Sequence, residues 1–403
     1  MDAAEGIPFV MRRAALCYAL LLAACSGSQQ YAPFSYDPPA APARPLPGAA
    51  VFSQLFSFDG KNGKIPAATL VQAGAALAGT TYGGGTAKSG TAYTITTSGT
   101  HTVLHDFKGG KDGALPIAGL LDVKGTLYGT TVNGGVPGEE GVVFAISPSG
   151  AETVLHRFAG GNDGANPYAP PTMVAGTLYG TTAGGGSHSG GTIFSISPSG
   201  AEQVVYDFGR TGADGTTPAA RLANVGGTLY GTTSYGGGGK CTSAGCGTVF
   251  KFTTSGTETI VHTFTGGHDG AIPQTPVIDL GGTLYGSTSA GGTHNAGTVF
   301  KITRDGTESV LYAFKGGSDG AIPQALALFH GMLYGTTSAG GSKNQGTIFA
   351  LTTAGKKTIV HDFTGGTGGG IPRAGLRAFG AALYGTTAQG GAHGGGTVFS
   401  IAP

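Results

Sequence analysis

The sequence predicts an all-β protein, a seven-bladed β-propeller of four-stranded antiparallel blades closed by an N-terminal outer strand that completes the last blade. Three observations predict it. The first is a repeated word, Leu178-Tyr179-Gly180-Thr181-Thr182, followed by Gly184-Gly185 and Gly191-Thr192-Ile193-Phe194. It recurs from Leu77, Leu127, Leu229, Leu284, Leu333 and Leu383, at successive spacings of 50, 51, 51, 55, 49 and 50. A period near fifty built from strand-like words marks a propeller or a solenoid. The second observation is that each repeat reads as four short strands joined by Gly-bearing turns. The third is the phase of the repeat at its two ends.

One repeat shows how the strands are read. Pro276 to Leu280 is a short apolar strand, and Gly281-Gly282 turns the chain into Thr283 to Thr288. A loop over 289–296 leads to Gly297 to Ile302, and Arg304-Asp305-Gly306 turns into Glu308 to Phe314. This is the pattern of an antiparallel meander. Alternation places Thr298, Phe300 and Ile302 on one face and groups Val310, Tyr312 and Phe314 likewise. Val299 and Leu311 lie opposite, so both faces are apolar and need covering by neighbouring repeats. The phase then separates ring from open array. Val51 to Phe58 matches a fourth strand, seen again at Thr102 to Phe107, whereas Gly396 to Ile401 is a third strand. Joining the two completes a seventh blade and leaves only short outer edges.

Composition agrees with an ordered sheet protein. The 403 residues include 79 Gly and no Trp, and 11% are charged. The Gly residues fall at fixed offsets between Val-, Ile-, Phe-, Tyr- and Thr-rich words, as turns and close approaches would. A net charge of +1 leaves no electrostatic footprint for nucleic acid or an anionic membrane surface.

Residues 1–25 read as an export signal. Met11-Arg12-Arg13 is a basic start, and Met11 is an alternative initiator to Met1. Ala14 to Leu22 is too short to span a bilayer, and Leu22-Ala23-Ala24-Cys25 ends in small residues before a cysteine. The pattern resembles a bacterial lipoprotein signal, which implies lipidation of Cys25. Residues 26–50 form a Pro/Ala-rich tether that cannot build a core, and residues 51–403 form the propeller. Cys241 and Cys246, the cysteines that remain, are expected to pair in a disulfide.

The words Leu-Tyr-Gly-Thr-Thr, Gly-Thr-Val-Phe, Val-Leu-His-x-Phe and Gly-Gly-x-Asp-Gly-Ala-x-Pro resemble the GloVer tandem repeat of bacterial "choice-of-anchor" surface proteins, over about residues 51 to 403. The resemblance implies export and attachment to the envelope, and implies no particular activity. The first repeat departs most, with Ala78 for Tyr and Tyr93 for Phe.

Repeated polar residues are read as structural. Asp112, Asp163, Asp214, Asp269 and Asp319 precede Gly in the turn leaving the fourth strand, where a short carboxylate bonds local backbone. One carboxylate per turn is too few for calcium. His105, His156, His262 and His361 alternate with Phe56, Tyr206 and Tyr312 as packing groups, and Glu152, Glu202, Glu258 and Glu308 decorate one rim. The non-repeated residues collect in the loops between second and third strands: Lys88, Glu139, Glu140, His188, Lys240, His294, Asn295, Lys343, Asn344 and His393. These are the candidate ligand-face residues, a ring of varied polar tips on a rigid scaffold. His188, His294 and His393 fall in blades too far apart to share a zinc ion.

No catalytic constellation is evident. Asp122, Asp279, Arg221, Arg373, Arg377 and His330 lie in or beside the innermost strands without a spacing that specifies a reaction. The expectation is a non-catalytic envelope binding or scaffolding module, with envelope proteins or extracellular glycans as partners and no cofactor, metal or nucleic acid. It is expected as a monomer, exported and held at the outer membrane or cell surface by lipid alone. Two alternatives stand beside it. One is a carbohydrate-active propeller enzyme of lyase or glycosidase type with a site near the central channel; the other is a structural surface-layer element.

Overall fold

A computed structural model describes residues 50–136, 138–239, 241 and 244–403. The expected signal, Cys25, the tether up to residue 49 and Lys240 lie outside the described residues. Among the described residues the strands build seven blades, each an antiparallel meander of four strands, with Ala321–Pro323 added to the sixth sheet. Blade one comprises Val71–Ala73, Ala76–Thr81, Thr91–Ile95 and His101–Asp106. Blades two to seven repeat the pattern, with first strands Leu121–Val123, Thr172–Val174, Ala223–Val225, Ile278–Leu280, Ala327–Phe329 and Arg377–Phe379. No described helix is long and apolar enough to cross a membrane.

The ring closes as the phase requires. Val51–Ser57 pairs antiparallel with Thr397–Ala402, from Val51 opposite Ala402 to Ser57 opposite Thr397, so the last blade takes its outer strand from the start of the domain. The expected strands of blade five are found within two residues, at Ile278–Leu280, Thr283–Thr288, Thr298–Thr303 and Glu308–Ala313.

One expectation needs correction. A register shift lies between Val299 and Phe300, so that Phe300 faces Val310 while Val299 faces Tyr312. Leu311 is the extra residue of a β-bulge, and cross-strand partners share a face, so Val310 and Tyr312 lie on opposite faces. Strict alternation cannot see an inserted residue. Every complete blade carries the same bulge, and the closing strand has its own between Gln54 and Phe56.

The repeated words turn out to be joints between blades. The first hydroxyl of each Thr-Thr (or Ser-Thr) pair donates to a carbonyl in the segment leading into the next blade's first strand. Thr80 to Ala118 spans 2.6 Å, Thr232 to Thr275 3.2 Å and Thr336 to Ala374 2.7 Å, and Thr386 to Ala68 at 3.4 Å carries the series across the closure. The second Thr bonds within its own blade, as Thr182 does to Thr192 at 2.8 Å. The Gly between Tyr and Thr lets the chain cross the third-strand Phe ring: a Cβ on Gly286 would meet Phe300 and could not be accommodated. Those Phe rings, including Phe144, Phe194, Phe250 and Phe300, are fully buried, each stabilising the stack by about 1.5–3 kcal/mol.

A second joint lies one step further along. Ile65, Leu115, Asn166, Thr217, Ile272, Ile322 and Ile371 all precede proline and all have φ between 53 and 59°, a region that non-glycine and especially β-branched residues avoid. Each left-handed residue turns its N–H onto a carbonyl of the preceding blade, at 2.7–2.9 Å. Leu115 donates to Ser89, Ile272 to Cys246, and Ile65 to Gly395 across the closure. The strain, on the order of 1–3 kcal/mol per residue, is held by that bond and by the proline, which packs on the previous blade's Gly; a Cβ on Gly191 would lie 2.7 Å from Pro218 Cδ.

Candidate functional site

Three places in this ring bring polar chemistry together: the loop face, the axis and the outer seams between blades.

On the loop face, the loop between second and third strands is tied by backbone bonds to the turn entering the same blade, as in Gly135 to Gly110 at 2.7 Å and Gly341 to Gly317 at 2.9 Å. Both connections therefore emerge on one face. Within the loops the sequence candidates divide by position. Lys88, Glu139, Asn295 and Asn344 occupy a left-handed corner, with φ of 60, 63, 52 and 55°. Asn295 and Asn344 use their side chains to bond the backbone N–H of Gly291 and Gly340, at 2.9 and 2.8 Å. These two are turn-formers. His188, His294, Lys343 and His393 sit at the exposed tips. His188 is steadied by Asp207 at the end of its blade's outer strand, Nδ1 to Oδ2 at 2.7 Å. Glu140 leans on Gly160, and burial pushes its carboxyl pKa up from the ordinary value. In blade four the same loop holds the Cys241–Cys246 disulfide, which packs beside Gly266 of the following turn. Beside the His393 tip, at the closing seam, a depression of ≈ 510 Å³ is lined by Lys64, Ile65, Arg373, Ala388, Gln389 and Gly394.

The axis is narrow. Thr69, Arg221, Val277, Ala325, Gly375 and Leu376, from five different blades, enclose a cavity of ≈ 20 Å³, about the room one water needs. Arg221 is buried there and its Nε donates to Thr172 Oγ1 at 3.0 Å. Asp122 accepts the Gly125 N–H at 2.8 Å, closing a hairpin. Asp279 lies at the matching hairpin of blade five; burial raises its pKa, against Arg304 and the Gly282 N–H. His330 stacks on Phe329, with ring centroids 3.9 Å apart. The structure places these groups in separate local roles.

The outer seams revise two sequence expectations. The turn aspartates do bond local backbone, as Asp112 accepts Lys108 N–H at 2.6 Å and Asp163 accepts Ala159 N–H at 2.6 Å. They also meet the outer-strand ring residue of their own blade: His105 Nε2 and His156 Nε2 each lie 3.1 Å from a carboxylate oxygen, and Tyr312 donates to Asp319 at 2.7 Å. The glutamates expected on a rim are instead half-buried in the seams, each wedged against the preceding blade's His–Asp or Tyr–Asp pair. Desolvation first, and then the neighbouring Asp, pushes Glu152, Glu202, Glu258 and Glu308 up to about 7. One carboxylate per turn was the correct count within a blade; the second arrives from the next blade, where a period-by-period reading does not look.

The comparisons bear on the repeat and on the fold. Residues 44–244 match the model of the Gloeobacter/Verrucomicrobia repeat. No curated protein matches the chain. Among solved structures, a Bacteroides uniformis protein described as a 6-phosphogluconolactonase is similar with a TM-score of 0.51 at 16% identity, over 77% of this chain and 89% of that one. Another, described as a gluconolactonase, reaches 0.43 at 12% identity over 88% and 93%. At 16% identity the likeness to the first of these is one of fold.

Proposed function

From a chain that carries the Gloeobacter/Verrucomicrobia repeat over residues 44–244, we propose a non-catalytic cell-envelope module that binds extracellular glycans or envelope proteins through its loop face. One observation carries the reading: identical inner joints hold in place loops whose exposed tips differ from blade to blade, His188, His294, Lys343 and His393 among them. A rigid frame with varied polar tips is the arrangement of a recognition surface. The depression beside His393 adds Lys64 and Arg373, which favours an acidic polysaccharide over a neutral one. A carbohydrate-active site at the axis is less favoured, because the axial cavity is water-sized and its lining is mostly apolar. Export, lipidation at Cys25 and a membrane hold through lipid alone belong to the same proposal.

The test is a thermal-shift and calorimetric titration of the full chain with an acidic and a neutral envelope polysaccharide. A saturable rise with the acidic glycan, lost in the variant Lys64→Ala/Arg373→Ala/His393→Ala while its own melting stays within a few degrees of the parent, supports the reading. Equal responses to both glycans, or none, sink the acidic-glycan form of it. Release of Cys25→Ser from membranes, measured by fractionation, tests the anchor separately.

A further inference from the structure

We propose that the seams between blades one and two and between blades two and three are binding sites for a divalent transition-metal ion of the zinc class, each built from two blades.

In the first seam, His105 Nε2, a carboxylate oxygen of Asp112 and one of Glu152 all lie within 4.8 Å of one another; His156, Asp163 and Glu202 repeat the group one blade later. Zinc takes His nitrogen and carboxylate oxygen at about 2.0–2.2 Å in tetrahedral geometry, which sets neighbouring ligand atoms about 3.3 Å apart. The His–Asp separation is 3.1 Å in both seams. The second oxygen of each Asp is already fixed by a backbone N–H, and each His ring is set edge-on against the next Phe, with centroids 4.7 and 4.8 Å apart. An ion needs ligands oriented in this way before it arrives. Three protein ligands leave a fourth position for solvent, and His105 and Asp112 side chains are 17% and 20% exposed.

Two further observations point to a cation. Glu152 Oε1 and Glu202 Oε1 are shielded from solvent without a hydrogen-bond partner, as Glu258 Oε1 and Glu308 Oε1 are in the two following seams; a bound cation would let such a carboxyl ionise and would supply the missing partner. The seam between blades five and six then shows the niche filled. Lys357 stands at the register position of Glu152 and Glu202, paired to Leu351 as they are to Ile146 and Ile196. Its ammonium, on a side chain only 4% exposed, lies 2.7 Å from Asp319 Oδ1 and 2.5 Å from the Asp319 carbonyl. Where the chain supplies its own cation the second acid is absent. Where it supplies the second acid and a His, the cation is left to come from solution. The seam between blades three and four has Tyr206 in place of His and is not such a site. In the seam between blades four and five, the His262–Asp269 distance opens to 3.6 Å.

The experiment strips the full chain with a chelator, titrates it with zinc chloride and counts ions retained after desalting, with melting followed in parallel. The expected result is two ions per chain and a raised Tm. Glu152→Lys should remove one ion and Glu152→Lys/Glu202→Lys both, with circular dichroism unchanged, since blade six already accommodates lysine there. Should the lysine variants fail to fold, Glu152→Gln and Glu202→Gln keep the shape and are expected to weaken binding at least tenfold. No retained ion in the parent, or the same number in the double variant, overturns the proposal; the latter would move the ions to exposed histidines such as His188.

Discussion

The inner joints and the outer seams are made between the same pairs of blades, and they differ in kind. At the inner joint every blade offers the next a hydroxyl, and the next answers with a left-handed residue's N–H and a proline packed on the first blade's glycine. At the outer seam the same register position is His101, Glu152, Glu202, Glu258, Glu308, Lys357 or Phe52. The two ends of the series are apolar, with Phe56 stacked on His101 at 4.2 Å and Phe52 on His361 at 4.0 Å. Repetition therefore marks where geometry must be identical for the ring to close. Variation marks where each pair of blades can be tuned by charge without disturbing closure.

The comparison can be broken first at the inner ring. Deleting residues 51–58 removes the partner of Thr397–Ala402 and the buried Phe58; melting should fall by at least about 10 °C or lose its cooperativity, and an unchanged transition would refute closure by this strand. Gly191→Ala comes next. It places a Cβ against Pro218 at a φ of 93°, for an expected loss of about 2–4 kcal/mol in urea unfolding.

The outer seams should respond more mildly. Lys357→Met leaves Asp319 in its niche without the ammonium. Because the carboxylate is partly exposed, the expected cost is about 1–2 kcal/mol, recovered in part by adding Asp319→Asn. The smallest effect is one of pH. The folded-state pKa values of Glu258 and Glu308 are raised, chiefly by desolvation, to about 7. Tyr206, Asp214 and Arg210 surround the first, and Asp269 faces the second. Between the unfolded value and about 7 the native state holds more protons, so stability is highest at the acid end of that window and declines as pH rises through it. Glu258→Gln/Glu308→Gln should flatten that slope, raising stability at pH 8 by about 1 kcal/mol after allowance for partial exposure, while leaving pH 5 nearly unchanged. An equal gain at both pH values would show that ionisation is not the cause.

Much of the fold was legible because the features that fix it are periodic. Leu178 to Thr182 and Gly191 to Phe194 announce strands and joints by recurrence, and the mismatch of phase between Val51 and Ile401 announces closure. The bulge at Leu311 was not legible, since an inserted residue looks like any apolar neighbour until register is seen. The left-handed turn at Ile272 was hidden for the opposite reason, as Ile-Pro reads as extended chain. Of the loop candidates, the exposure of His188 and His294 could be anticipated, but the inward-bonded role of Asn295 and Asn344 depends on a backbone corner that composition does not reveal. The seams were missed because the Glu lies about forty residues beyond the His–Asp pair it meets and belongs to the next repeat. The one available signal was Lys357 at a position that is Glu in the four preceding blades, a charge reversal.

The pairing of Val51–Ser57 with Thr397–Ala402 also fixes an order of events. Within the propeller, the strand made before the rest of the ring pairs with the strand made after it, so while the blades between are synthesised this segment has no place to dock and an apolar edge stays open at each end of the growing arc. Blades one to six can stack as they appear, each on the one before, but the circle is sealed in a single late step. A ring lacking Thr397–Ala402 is therefore an arc with two sticky ends, and that strand decides whether it closes on itself or joins another arc.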